Sequence, residues 1–160
     1  MASVTTTGTV TVNAAFLQEI KDVNQELWQL LGDLRHRCCQ RPIAPGHCRQ
    51  LIDQLALLRD QLALHFALEE AYGYFEDPAY VTPKLGELAG KLRQEHRELY
   101  VALCQLVEQA ERMFYDDQNA ELALWLGPSF EKFDRNLRRH ESRENELIMD
   151  AYDSDLGGGD

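Results

Sequence analysis

Apolar residues recur at steps of three and four along four stretches of the chain, the spacing of a buried helix face. The first stretch opens at Asn13, a predicted N-cap, and carries Ile20, Asn24, Leu27, Leu31 and Leu34 on one stripe. It ends in CCQRPIAPG, where two prolines and a glycine predict a turn. The second stripe is Leu51, Leu55, Leu58, Leu62, His65, Glu69 and Tyr72. EDPAYVTP interrupts it, and Thr82 and Pro83 predict the N-cap and first residue of a third helix. That helix carries Leu85, Leu88, Leu92, His96, Leu99, Leu103 and Leu106. After YDDQN comes a fourth stripe of Leu126, Phe130, Phe133, Leu137, His140, Glu144, Leu147 and Ala151. Gly127-Pro128 predicts either a kink or the start of that helix.

The stripes repeat. Leu58-Leu62-His65-Glu69-Tyr72 runs in the same steps as Phe133-Leu137-His140-Glu144-Leu147, and Ile20-Asn24-Leu27-Leu31-Leu34 matches Leu92-His96-Leu99-Leu103-Leu106. Two similar helical hairpins of this kind predict an all-α, up-down-up-down four-helix bundle. The bundle is expected over 13–153, between a flexible arm at 1–12 and a flexible tail at 154–160. The arm's TVTV is the one candidate for a short extended piece.

Five polar residues interrupt the apolar stripes: His65, Glu69, His96, His140 and Glu144. A carboxylate in an apolar core is expensive unless it is paired or bound to a metal. No Lys or Arg falls on the predicted stripes, and Arg138 and Arg139 lie off the fourth, so a metal cation is the expected counter-charge. Residues four apart on a helix share a face one turn apart. Each His-x3-Glu pair can therefore present a nitrogen and an oxygen to one ion or to two adjacent ions, and each glutamate could bridge two metals. Mixed imidazole and carboxylate ligation suits iron, with zinc or manganese as alternatives. Any one such pair is more often a surface ion pair, and a lone core histidine is more often satisfied by hydrogen bonds. The coincidence of five residues at matching heights favours a metal.

Composition narrows the partners. A net charge of -11 disfavours nucleic acid and anionic membrane surfaces, both of which draw on clustered Lys and Arg. MASVTTTGTVTV lacks the pattern of a signal peptide, and no apolar run approaches the ~20 residues of a membrane span. The four cysteines are then expected as reduced thiols in the cytoplasm, with a Cys39–Cys48 or Cys38–Cys48 bridge left open. His36, Cys38, Cys39, His47 and Cys48 make a weak zinc candidate, because the spacing lacks CxxC. HESRE lacks the second histidine of a zinc protease, the Glu-x-x-His of ferritin-like bundles is absent, and neither a phosphate loop nor a nucleophile elbow occurs. Tyr72 is either a hydrogen-bond partner of a ligand or a core tyrosine, and Trp28 and Trp125 are expected to pack.

LALHFALEEAYGYF, KLRQEHREL and LRRHESRENELI together resemble the hemerythrin-like family of HHE cation-binding bundles, over about 14–151. The resemblance implies a non-haem di-iron centre, with one iron as the alternative. His65, Glu69, His96, His140 and Glu144 would be the ligands, with Glu69 and Glu144 bridging. It also implies oxygen carriage, sensing of oxygen, redox state or iron, or peroxide or nitric oxide chemistry. Two positions depart from the family pattern. Asn24 stands where the first helix normally supplies a histidine, and Leu92 where the oxygen carriers have another. These changes disfavour reversible oxygen carriage and fit the iron-sensing and bacterial branches better. Asn24, Glu70 and Tyr72 are then the candidate weak or outer ligands, and the side with His96 and His140 is expected to load first.

The leading expectation is a cytoplasmic metal protein that binds dioxygen or a small oxidant, or handles iron. The alternative is a metal-free or single-metal bundle serving as an interaction module, such as a homodimer. A peroxidase-like catalyst ranks below both, since the stripes show no separate substrate pocket, and no catalytic residue is assigned.

Overall fold

The computed structural model describes residues 10–76 and 83–157. Strand β1 (Val10–Val12) leads into helices α1 (Ala14–Val23) and α2 (Gln25–Cys38). A 3-10 turn (Pro45–His47) precedes α3 (Cys48–Leu68), which widens into a π-helical turn (Glu69–Gly73) and ends in β2 (Tyr74–Glu76). Two long helices follow, α4 (Pro83–Tyr115) and α5 (Asn119–Gly157). The helices form a bundle in which α3 packs on α4, α4 on α5, and α2 on both α3 and α5. Among the described residues no helix is long and apolar enough to cross a membrane.

Local chemistry accounts for several boundaries. The Asn13 side chain accepts from the Phe16 N–H at 3.1 Å, capping α1 as its position predicts. Helix α4 closes with Asp117 in the left-handed region (φ 56°), while the Gln118 N–H reaches the Met113 carbonyl at 2.9 Å. That pairing satisfies a carbonyl that the helix end would otherwise leave bare. Thr82, the expected cap of α4, lies outside the described residues.

The predicted first helix is in fact two. Asn24 (φ -89°, ψ 56°) leaves the helical region, and the chain restarts at Gln25. The break frees the Lys21 carbonyl, which accepts from the Trp28 indole N–H at 2.8 Å. Trp28 therefore carries a hydrogen bond as well as packing. The arm's TVTV supplies the extended piece its sequence offered, so the arm is not loose at its end. Val10–Val12 pairs antiparallel with Tyr74–Glu76, Val12 opposite Tyr74, and the Val10 side chain is buried. Residues 1–9 and most of EDPAYVTP lie outside the described residues. The tail expected from Ser154 begins as helix, since α5 runs to Gly157, and that helix starts at Asn119 with Pro128 inside it. No disulfide forms: Cys38, Cys39, Cys48 and Cys104 are free.

The core is layered. A large apolar cluster fills one end, from Leu27, Leu51, Leu103 and Leu126 up to Phe66 and Leu137. A smaller one at the other end joins Val10, Leu17, Tyr74, Leu92 and Leu147. Along α3, α4 and α5 the buried histidines and glutamates fall between the two. Gly127 permits one close approach in the large layer, where a Cβ on it would lie 2.7 Å from the Cys38 carbonyl oxygen. Gly127→Ala gains about 1 kcal/mol of helix propensity but forces backbone apart, a strain of about 1–3 kcal/mol. A net loss of stability is expected in denaturant unfolding. A raised midpoint would show that the approach is not this tight.

Candidate metal centre

The polar layer gathers one contribution from each long helix. His65 comes from the end of α3 and Glu69 from the π-helical turn that follows it, His96 from the middle of α4, and His140 and Glu144 from α5, all of them buried. His140 and Glu144 lie four apart on unbroken helix, so both side chains reach the same side of α5. Ligand-capable atoms of His96, His140 and Glu144 all lie within 4.8 Å of one another. Glu69 Oε1 is 3.1 Å from His65 Nε2 and 3.8 Å from His96 Nε2. Glu144 Oε2 is 3.5 Å from His96 Nε2 and 3.6 Å from His140 Nε2.

Aromatic and polar neighbours fix these rings. Phe66 stacks on His96 with centroids 4.2 Å apart and planes 8° from parallel, and Tyr74 meets the same ring edge-on. His140 Nδ1 lies 3.0 Å from Glu95 Oε1, and Arg143 holds the other Glu95 oxygen at 2.8 Å. A carboxylate on Nδ1 puts the ring proton there and leaves the Nε2 lone pair facing the layer. Nothing in the sequence pattern marked Glu95 for this, because it sits one residue off the stripe. It also lines a surface cleft with Arg139 and Arg143, while His140 beside it stays buried.

Sequence reasoning missed a buried cation. Lys21 is 7% exposed, and its Nζ bonds to Glu141 and lies 2.7 Å from Glu144 Oε1. The expectation that no Lys or Arg shares the core stripes is therefore overturned. The buried face of α1 is Ala14, Leu17 and Lys21 rather than one through Ile20. That 14-17-21 spacing was readable, but the break at Asn24 shifts its phase against the stripe of α2. Burial opposes the Lys21 ammonium, yet Glu144, Glu141 and Glu69 outweigh it and raise its pKa.

The charges of the layer sort unevenly. Asp134, elsewhere in the core, is held by the Arg35 guanidinium at 2.9–3.0 Å. Burial works against the Glu144 carboxylate, but His140, His96, Glu69 and Lys21 hold it well below the usual range. Glu69 faces imidazoles and another carboxylate. Burial, then the Glu144 charge, pushes it up to about 11. Burial, then Lys21, pushes His65 down to about 4. Burial disfavours a charged His140 too, but Glu144 and Glu95 raise it overall.

Buried atoms without a hydrogen bond include His65 Nε2, both Glu69 oxygens, both His96 nitrogens and His140 Nε2. Such orphans are rare in native cores, and their grouping from α3 with its π-helical turn, α4 and α5, beside Glu144, offers the nitrogen and oxygen donors that could hold a metal ion. The family model described as Hemerythrin HHE cation binding domain matches residues 15–157.

The chain belongs to the hemerythrin HHE cation-binding family.

No curated protein and no solved structure matches it significantly. Within this hemerythrin-like bundle three outer positions differ from expectation. Tyr72 is 60% exposed, and the hydrogen bond expected of it is made by Tyr74, which donates to Glu144 Oε2 at 2.6 Å. The π-helical turn explains the change. Its wider winding, with the Tyr74 N–H reaching the Glu69 carbonyl, carries the buried face past Tyr72 to Gly73 and Tyr74. Glu70 is 44% exposed, and its Oε1 is 3.9 Å from His96 Nδ1, too far for a hydrogen bond. Asn24 Nδ2 lies 2.9 Å from His65 Nδ1, so its amide engages a histidine ring and is not aimed at the His96–His140–Glu144 cluster.

Proposed function

We propose that this hemerythrin-like bundle holds non-haem iron in its polar layer and uses it to bind or sense dioxygen, a related small oxidant, or iron itself. The observation that carries this reading is the set of buried, unbonded ring nitrogens of His96 and His140 and carboxylate oxygens of Glu69, grouped around Glu144. Imidazole with carboxylate suits iron, and zinc and manganese accept the same donors. Bound iron would supply one-electron redox chemistry and a coordination position for a small ligand. The protein's own residues do the rest. Glu95 keeps the His140 proton on Nδ1, Phe66 and Tyr74 fix the His96 plane, and the Tyr74 hydroxyl anchors Glu144. The apolar clusters on either side keep water away from the layer. The reading includes the up-down-up-down order of two hairpins, supported by the ring of packed neighbours α2, α3, α4 and α5.

A second reading, a metal-free interaction module, draws on one observation: Lys21 neutralises Glu144 without any metal. Elemental analysis of protein purified aerobically from iron-supplemented cells separates the two. Stoichiometric iron with near-ultraviolet absorption beyond the aromatic band is expected. Iron-free protein would leave the module, and bound zinc or manganese would change the metal.

A further inference from the structure

The donors of the polar layer fall into two groups with different partners. On the α4–α5 side, His96, His140 and Glu144 converge within 4.8 Å, and the Nε2 atoms of both histidines make no hydrogen bond. On the α1–α3 side two of the groups that a second ion would recruit, His65 and Glu144, already meet other side chains. Asn24 Nδ2 lies 2.9 Å from His65 Nδ1. The other ring nitrogen, Nε2, faces Glu69 Oε1 at 3.1 Å. One of the two His65 nitrogens is thus already engaged by a side chain of the protein.

Lys21 completes this side. Its ammonium lies 2.7 Å from Glu144 Oε1 and bonds to Glu141, and its backbone is pinned where the Trp28 indole takes the Lys21 carbonyl. Glu144 thus has a division of labour between its oxygens. Oε1 faces the ammonium, whereas Oε2 takes the Tyr74 hydroxyl and faces both His96 and His140. A positive charge on Oε1 repels any metal cation approaching the same oxygen, and does so strongly in a buried layer.

We infer that the Lys21 ammonium stands in for the second cation of the centre, so that the protein holds a single metal ion on His96, His140 and Glu144. The inference rests on the metal-binding reading and narrows it. It makes a bridging role for Glu144 incompatible with this chain, because one end of the bridge is already an ammonium.

The test is anaerobic titration of metal-free full-length protein with ferrous iron, with X-ray absorption on the loaded sample. Wild type is expected to bind about one ion per chain and to show no iron–iron scattering. Lys21→Gln removes the charge and should raise the load toward two ions, while Lys21→Arg keeps the charge and should stay at one. Two ions in wild type, or a folded Lys21→Gln that still stops at one, would overturn the inference and leave the iron-binding reading standing. No binding to wild type would instead defeat that reading itself. Should Lys21→Gln fail to fold, as judged by circular dichroism, the wild-type stoichiometry and the Lys21→Arg load decide the matter.

Discussion

A His140→Ala variant is expected to lose its bound metal together with the thermal stabilisation that metal confers. A ligand that binds only the folded state stabilises it by about 2.7 kcal/mol at one hundred times its dissociation constant. For a chain of this length that corresponds to roughly 5–10 °C in melting temperature. His140 supplies one of the two convergent Nε2 atoms, and Glu95 already directs its lone pair at the site. Its removal should abolish the shift and not merely reduce it. Calorimetry of wild type and variant, each with and without ferrous iron, measures the difference directly. A variant that keeps the full iron load and the same shift would remove His140 from the centre.

Glu69→Gln should move stability the other way in the metal-free protein. Burial and the neighbouring Glu144 push the Glu69 carboxyl up to about 11 from an ordinary 4.5, so the folded chain holds a proton there that the unfolded chain releases. The stability this provides is full below pH 4.5 and drains away as pH rises toward 11. His65, pushed down to about 4, acts oppositely, losing stability as pH falls below 6.5. The two slopes cancel between about pH 4.5 and 6.5, and the Glu69 slope stands above that range. A neutral amide in its place should raise metal-free stability at pH 7 by on the order of 3 kcal/mol, and flatten the decline at alkaline pH. Iron binding should weaken in the same variant, because an amide, unlike the carboxyl, cannot shed a proton to meet the cation as an anion. Denaturant unfolding from pH 5 to 9 checks this. Equal stabilities for the two proteins at pH 7 and above would mean that Glu69 is not strained in the metal-free fold.

Much of this arrangement was legible in the sequence, for a definite reason. In α3, α4 and α5 the helix is regular through His65, His96, His140 and Glu144, so periodicity alone places each side chain on the buried face. The failures fall where regular winding fails. The break at Asn24 hides Lys21, since a lysine counts as core only if the phase of Ala14 and Leu17 is followed instead of that of Leu27. The π-helical turn advances the face by an extra residue, exchanging Tyr72 for Tyr74. Glu95 shows a different limit. Its neighbour His96 fills the stripe, and only the three-dimensional approach of α5 brings the His140 ring to it. The approximate internal repeat breaks at these places too: the interruption at Asn24 has no counterpart at His96, and α5 runs unbroken past Glu144.

The layered core also has a kinetic meaning. Its polar stratum lies between two apolar ones, and His65, Glu69, His96, His140 and Glu144 are almost wholly closed to solvent. Hydrated ions and chelators cross such strata only when helices part, and those openings are rare in proportion to their free energy. Exchange of anything held in the stratum therefore runs on the clock of local unfolding, and small uncharged molecules that dissolve among leucines are the visitors with the shorter wait.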